Sequence, residues 1–188
     1  MRCVSNYSFF LGVLFLTACG EVSYVIKNEV IVLSPQWSLV GEQLNWIDRT
    51  IGIFETNTAS IKNELIQAAR VDNEDQKDHA QQQIELFVDK YQQHFRKFKQ
   101  TYQRLRKTYT RNRIEFNELE TSILSDKITN DAEATLELNR FRRRFKDLSN
   151  EVSTVKIQLQ QEIKDYNENI RELAESMEVY TSYEIILK

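Results

Sequence analysis

Apolar residues return along most of this chain at alternating steps of four and three. The first series runs Val40, Leu44, Ile47, Ile51, Phe54, Ile61, Leu65, Ala68, with Thr58 as its one polar member. The second runs Ile84, Phe87, Tyr91, Phe95, Phe98, Tyr102, Leu105, Tyr109, Asn112, Phe116, Leu119, Ile123. The third is apolar throughout, from Ala134, Leu138, Phe141, Phe145, Leu148 and Val152 through Val155, Leu159, Ile163, Tyr166 and Ile170 to Leu173, Met177 and Tyr180. Such spacing places one apolar seam on each of three long helices. After Gly52 the chain contains neither glycine nor proline, so nothing in its composition opposes long helices.

The breaks between series read as helix ends. Ser34-Pro35 suits an N-cap followed by proline at the first helical position. Asn73 with Gln76, and Asn130 with Glu133, have the spacing of capping boxes. The helices predicted are about 35–71, 74–124 and 131–183. Steps 87–91–95 and 155–159–163 are each four and four, the signature of a stutter. If the chain folds back at residue 127, Phe95 faces Leu159, Tyr91 faces Ile163, and the two irregularities meet at one level. The expected fold is therefore all-α: an elongated antiparallel three-helix bundle, or coiled-coil hairpin, spanning 35–188. A first helix starting at 35 would leave the tip near 114–140 protruding as a two-helix coil. An oligomer of extended helices is the competing arrangement.

Residues 20–33 contain "EVSYVIKNEVIVL", β-prone and apolar, with Val22, Tyr24 and Ile26 alternating. They are expected to form an extended linker over residues 19–34, lying on the bundle or adding as a strand to a partner sheet.

Ahead of this linker, Arg2 precedes an apolar run from Phe9 to Leu16 that is far shorter than the ~20 residues a spanning helix needs. A basic start and a short apolar stretch make residues 1–18 a secretory signal. The run ends in Leu16-Thr17-Ala18-Cys19, which resembles the lipobox of bacterial lipoproteins at all four positions. The resemblance implies lipidation of Cys19, cleavage between Ala18 and Cys19, and attachment to a membrane of the cell envelope. Gly20, rather than Asp, points to the outer membrane under enterobacterial-type sorting. Cys3 lies in the signal, so Cys19 is the sole cysteine of the processed chain and no intramolecular disulfide can form. Two or three acyl chains, at about 0.8 kcal/mol per buried CH₂, hold a protein stably where one does not.

Net charge is only -3, yet charge is unevenly placed. Nine Lys or Arg and no acid lie between Lys90 and Ile114, and the proposed hairpin sets this tract beside "RFRRRFK". Arg111, Arg113, Arg142, Arg143 and Arg144 are the candidate residues for an anionic surface such as anionic lipid, lipopolysaccharide or an acidic protein. Residues 162–184 hold seven acids and two bases, an acidic counterpart. Export argues against nucleic acid as a partner. His79 and His94 are the only histidines and have no metal-ligand spacing, so no metal or other cofactor is expected. No phosphate loop, dinucleotide fingerprint or nucleophile elbow occurs. The expected function is a membrane-anchored, non-enzymatic helical scaffold or interaction subunit with an envelope protein partner. A polyanion-binding module is the alternative.

Overall fold

The structure, a computed structural model, describes residues 21–68 and 74–177. The fold is all-α, built from α1 (Tyr24–Ala68), α2 (Glu74–Leu124) and α3 (Asp131–Ser176), with no strand among the described residues. The expected signal and the expected lipidation position fall outside these residues, as do the expected ends of the first helix at 71 and of the third at 183.

By its internal contacts the chain forms two compact units. One comprises the residues up to Val40 together with Thr108–Ser149, the other Gly41–Lys107 together with the residues from Asn150. In each unit α1 and α3 run parallel, and α2 runs antiparallel to both. In the first unit Trp37 meets Phe116 and Phe145, with ring centroids 5.9 and 5.2 Å apart, and lies 6.3 Å from Tyr109. In the second, Phe54 stacks on Phe95 and sets its edge against Tyr166. Tyr91 stands perpendicular to Tyr166 at 5.1 Å. Aromatic rings of this size fill a three-sided core that a two-stranded coil would leave strained.

The first helix begins eleven residues before its expected start, at Tyr24 rather than 35. Residues 24–34 are helical, not an extended linker and not a strand. The reason lies in spacing that the apparent alternation conceals. Val22, Ile26, Val30, Leu33, Trp37 and Val40 are buried and continue the heptad seam backwards. Ser23 is the N-cap: its carbonyl accepts from the amides of Ile26 and Lys27. Its own amide donates to Asp131 Oδ1 at 2.7 Å. Ser34 and Pro35 are interior to α1. Pro35 removes the amide that would reach the Ile31 carbonyl, but both residues lie on the exposed face of α1, where a donor from outside the helix can replace the lost one.

This early start also covers the hairpin tip, which is three-helical and does not protrude as a two-helix coil. Lys27 Nζ pairs with Asp126 Oδ1 at 2.6 Å. Asp126 occupies the left-handed region, φ 54°, at the end of α2. The amides of Asp126 and Lys127 turn back to the carbonyls of Ile123 and Ser122, a Schellman ending with aspartate where glycine is usual. Asn130 caps α3 as expected, its Oδ1 accepting from the amides of Ala132 and Glu133.

The α2 stutter is not at 87–91–95; the four-and-four step falls earlier, at the buried Ala80, Ile84 and Val88. Val88, not Phe87, takes the buried seat, so Ile84, Val88, Tyr91 and Phe95 keep the regular heptad. Phe87 flanks the seam, 4.9 Å from Tyr91. The α3 stutter is real, with Val155, Leu159 and Ile163 all buried. The matching-stutter argument therefore fails, although the antiparallel pairing it supported is present. Tyr91 meets Tyr166, and His94 meets Glu162, within one turn of the expected register.

Candidate interaction surfaces

A helix that buries one face normally offers charge on the other. The first part of α1 does not. At 100° per residue Tyr24, Val25, Asn28, Ile31, Val32, Pro35, Ser38 and Leu39 fall within an arc of about 140° on the side away from the buried seam. All are exposed, Tyr24 at 82%, Val25 at 66% and Leu39 at 59%. None carries a charge. The two charged residues of this stretch of helix, Lys27 and Glu29, lie at the flanks of the arc and pair inside the unit with Asp126 and Arg142. The outward faces of the neighbouring helices differ: over 131–149, α3 exposes Arg140, Arg142, Arg143, Arg144, Lys146 and Asp147. Sequence reasoning missed this surface because residues 20–33 were read at a period of two. Read at 3.6, the same residues are apolar on both sides of a helix, which signals a second covering.

The five candidate arginines do not form one binding face. Successive residues on a helix point about 100° apart, so Arg142, Arg143 and Arg144 diverge. Arg142 pairs with Glu29 of α1 at 2.8 Å, and Arg144 pairs with Glu115 of α2 at 2.5 Å while lying over the Phe141 ring. Arg113 points inward, donating to the Ser34 carbonyl and hydroxyl, 5.9 Å from the Phe116 ring. Arg111 and Arg143 are exposed, without an ion-pair partner among the described residues. The described part of the first unit, 21–40 and 108–149, holds nine Lys or Arg against ten Asp or Glu, so it is not a basic zone. The unbroken basic tract of α2 hid the acids that α1 and α3 bring beside it.

The second unit shows the same pairing. Lys99 reaches Glu55 at 2.7 Å, Lys62 reaches Glu85 at 3.2 Å, and Arg104 pairs with Glu151. The Lys62 ammonium, hydrogen-bonded to the carboxylate, holds Glu85 below the usual range, helped by Gln81. Such exposed pairs bring little stability. They do cancel charge locally.

His94 Nδ1 lies 2.5 Å from Glu162 Oε1. With Lys97, Phe98, Thr101, Val155 and Gln158 these two line a surface depression of about 310 Å³. His79 is exposed and meets Gln83 at 3.1 Å. Among the described residues no group of His, Cys, Asp or Glu could hold a metal ion. No described helix is long and apolar enough to cross a membrane. The chain matches no family model, no curated protein and no solved structure.

The core of the second unit contains two unusual hydroxyls. Asn169 Nδ2 donates to Tyr91 Oη at 2.8 Å, whereas Tyr166 Oη is buried without a hydrogen-bond partner. Burial is the main cause that pushes the Tyr91 phenol up to about 12, with the carboxylates of Glu162 and Asp165 adding to it. Burial raises Tyr166 further. Both hydroxyls stay protonated at neutral pH.

Proposed function

We propose that this chain is a lipid-anchored protein of a bacterial envelope, held by a lipidated Cys19, and that it works as a non-enzymatic helical scaffold or interaction subunit. The uncharged apolar face of α1, which begins only five residues after Cys19, carries this reading. Large apolar side chains gathered on one exposed face mark a contact surface. Its place in the sequence puts that surface next to the anchor. The Leu16-Thr17-Ala18-Cys19 motif supports the anchor itself. Gly20, rather than Asp, after Cys19 supports the outer membrane, and a further envelope protein is the proposed partner.

Cells expressing the full chain, fed a clickable palmitate analogue, should label the protein. Cys19→Ser should abolish the label and leave the unprocessed precursor. Equal labelling of both would end the lipoprotein reading.

Docking to anionic lipid or lipopolysaccharide is a second reading, favoured by exposed Arg111 and Arg143. Its signature is binding that needs the anionic component and weakens with salt. Binding should also fall when Arg111, Arg113, Arg142, Arg143 and Arg144 become glutamine.

A further inference from the structure

The occupant of the α1 face follows from its chemistry and its tether. We propose that Tyr24, Val25, Ile31, Val32, Pro35 and Leu39 lie in the headgroup–acyl boundary of the membrane in which Cys19 is anchored. The first turns of α1 then form an interfacial helix as well as a core helix. This inference rests on the lipid-anchor reading and names the contact that reading leaves open.

Three observations favour lipid over protein. The first is reach: four residues separate Cys19 from Tyr24, so the five steps between them span at most about 18 Å of chain. A membrane holding Cys19 is therefore the nearest apolar medium to the first turn. From Tyr24 to Leu39 the face runs about 23 Å along the helix axis, so its whole length lies within reach of the same surface if α1 lies along it.

The second is charge. An apolar boundary rejects unpaired charge, and the arc contains none. Lys27 and Glu29, at its flanks, are already paired within the unit, and the exposed carboxylates Glu21 and Glu42 bound the face at its two ends. A neutral face of this kind does not need anionic headgroups, in contrast to docking through arginines.

The third is the poor match to a second helix. A coiled-coil seam through Val25, Val32 and Leu39 would place Asn28 and Pro35 at its alternate positions. Pro35 has no amide hydrogen and interrupts the helical ladder there. Stable protein interfaces engage about 20–30 residues on each side, far more than this arc contains. A lipid boundary imposes no such complementarity and accepts tyrosine at the polar margin of the buried stripe.

The test uses the full chain, purified from envelopes and reconstituted in phosphatidylcholine vesicles whose acyl chains are brominated. An environment-sensitive dye is placed on Val32→Cys, Leu39→Cys or Arg143→Cys, each compared with the parent chain treated in the same way. Circular dichroism confirms that the helices are unchanged, as expected for substitutions at exposed positions. Bromolipid quenching at residues 32 and 39 should exceed that at residue 143 by at least about twofold, with little access for aqueous iodide. The difference should persist at high salt. Equal iodide access at all three positions overturns the inference. Shielding of residues 32 and 39 from both quenchers also overturns it, in favour of a second copy or another protein. The mass of the Cys19 peptide, read from the same preparation, tests the anchor separately. A lipidated chain without preferential quenching keeps the anchor and rejects the interfacial helix. Preferential quenching without lipid on Cys19 does the reverse.

Discussion

Trp37→Ala should destabilise the protein by about 3–5 kcal/mol, the range for deleting a large buried aromatic side chain. Trp37 is fully buried in the first unit, and the rings of Tyr109, Phe116 and Phe145 enclose it from α2 and α3. One residue thus joins all three helices, and no neighbouring side chain can collapse into its volume without leaving its own seat. Trp37→Phe separates packing from polarity. The indole Nε1–H is buried without an acceptor. Losing it relieves a desolvation penalty of about 1–3 kcal/mol, which offsets part of the lost volume. The phenylalanine variant should therefore lie within about 1.5 kcal/mol of the parent. Urea unfolding followed by circular dichroism measures both. A loss below about 1 kcal/mol for the alanine variant would mean that these rings do not form the core of the unit.

The sequence made the helices legible because their burial is periodic. Thr58 illustrates how far that signal reaches: it interrupts the apolar series yet belongs to the seam, because its hydroxyl donates to the Phe54 carbonyl at 2.8 Å and hides its polarity. The misreadings arose where two local signals competed. Ser34-Pro35 has the chemistry of a helix start, but local chemistry yields to packing when Val22, Ile26, Val30 and Leu33 can all be buried by continuing the helix. Phe87 and Val88 are adjacent and both apolar. Hydrophobicity favoured phenylalanine for the core, whereas the angular position of the smaller residue fits the regular seam.

The surface was harder to read than the core, since charge placement depends on neighbours distant in sequence. Arg142 and Glu29 are far apart along the chain, as are Lys99 and Glu55, yet each forms a pair. A tract without acids therefore looked basic until helix packing brought the acids beside it. The apolar face of α1 was visible as composition but not as geometry. Once α1 begins at Tyr24, Val25 and Val32 must point away from a seam that holds Ile26, Val30 and Leu33.

Alkaline pH should destabilise the protein through Tyr91 and Tyr166. Burial raises both phenols, Tyr91 to about 12 and Tyr166 further, while the unfolded chain releases these protons near pH 10. Above that pH the unfolded state binds fewer protons than the folded state, so stability declines as pH rises. The contribution is complete below about pH 10 and is lost as pH rises through the folded values. Tyr166→Phe removes a buried hydroxyl that has no partner, and should be neutral or stabilising at pH 7. Tyr91→Phe removes one acceptor from the Asn169 amide, which still donates to the Asp165 carbonyl, so the cost at neutral pH should be about 1 kcal/mol. The double variant should therefore lose less stability than the parent between about pH 9 and pH 12, because lysines and the other tyrosines titrate alike in both proteins. Urea titrations across that range measure the two slopes. Parallel curves would show that neither phenol is held protonated by the fold. A flatter curve for the double variant would place the alkaline sensitivity in the aromatic core of the second unit, where the Tyr166 hydroxyl is shut away from water.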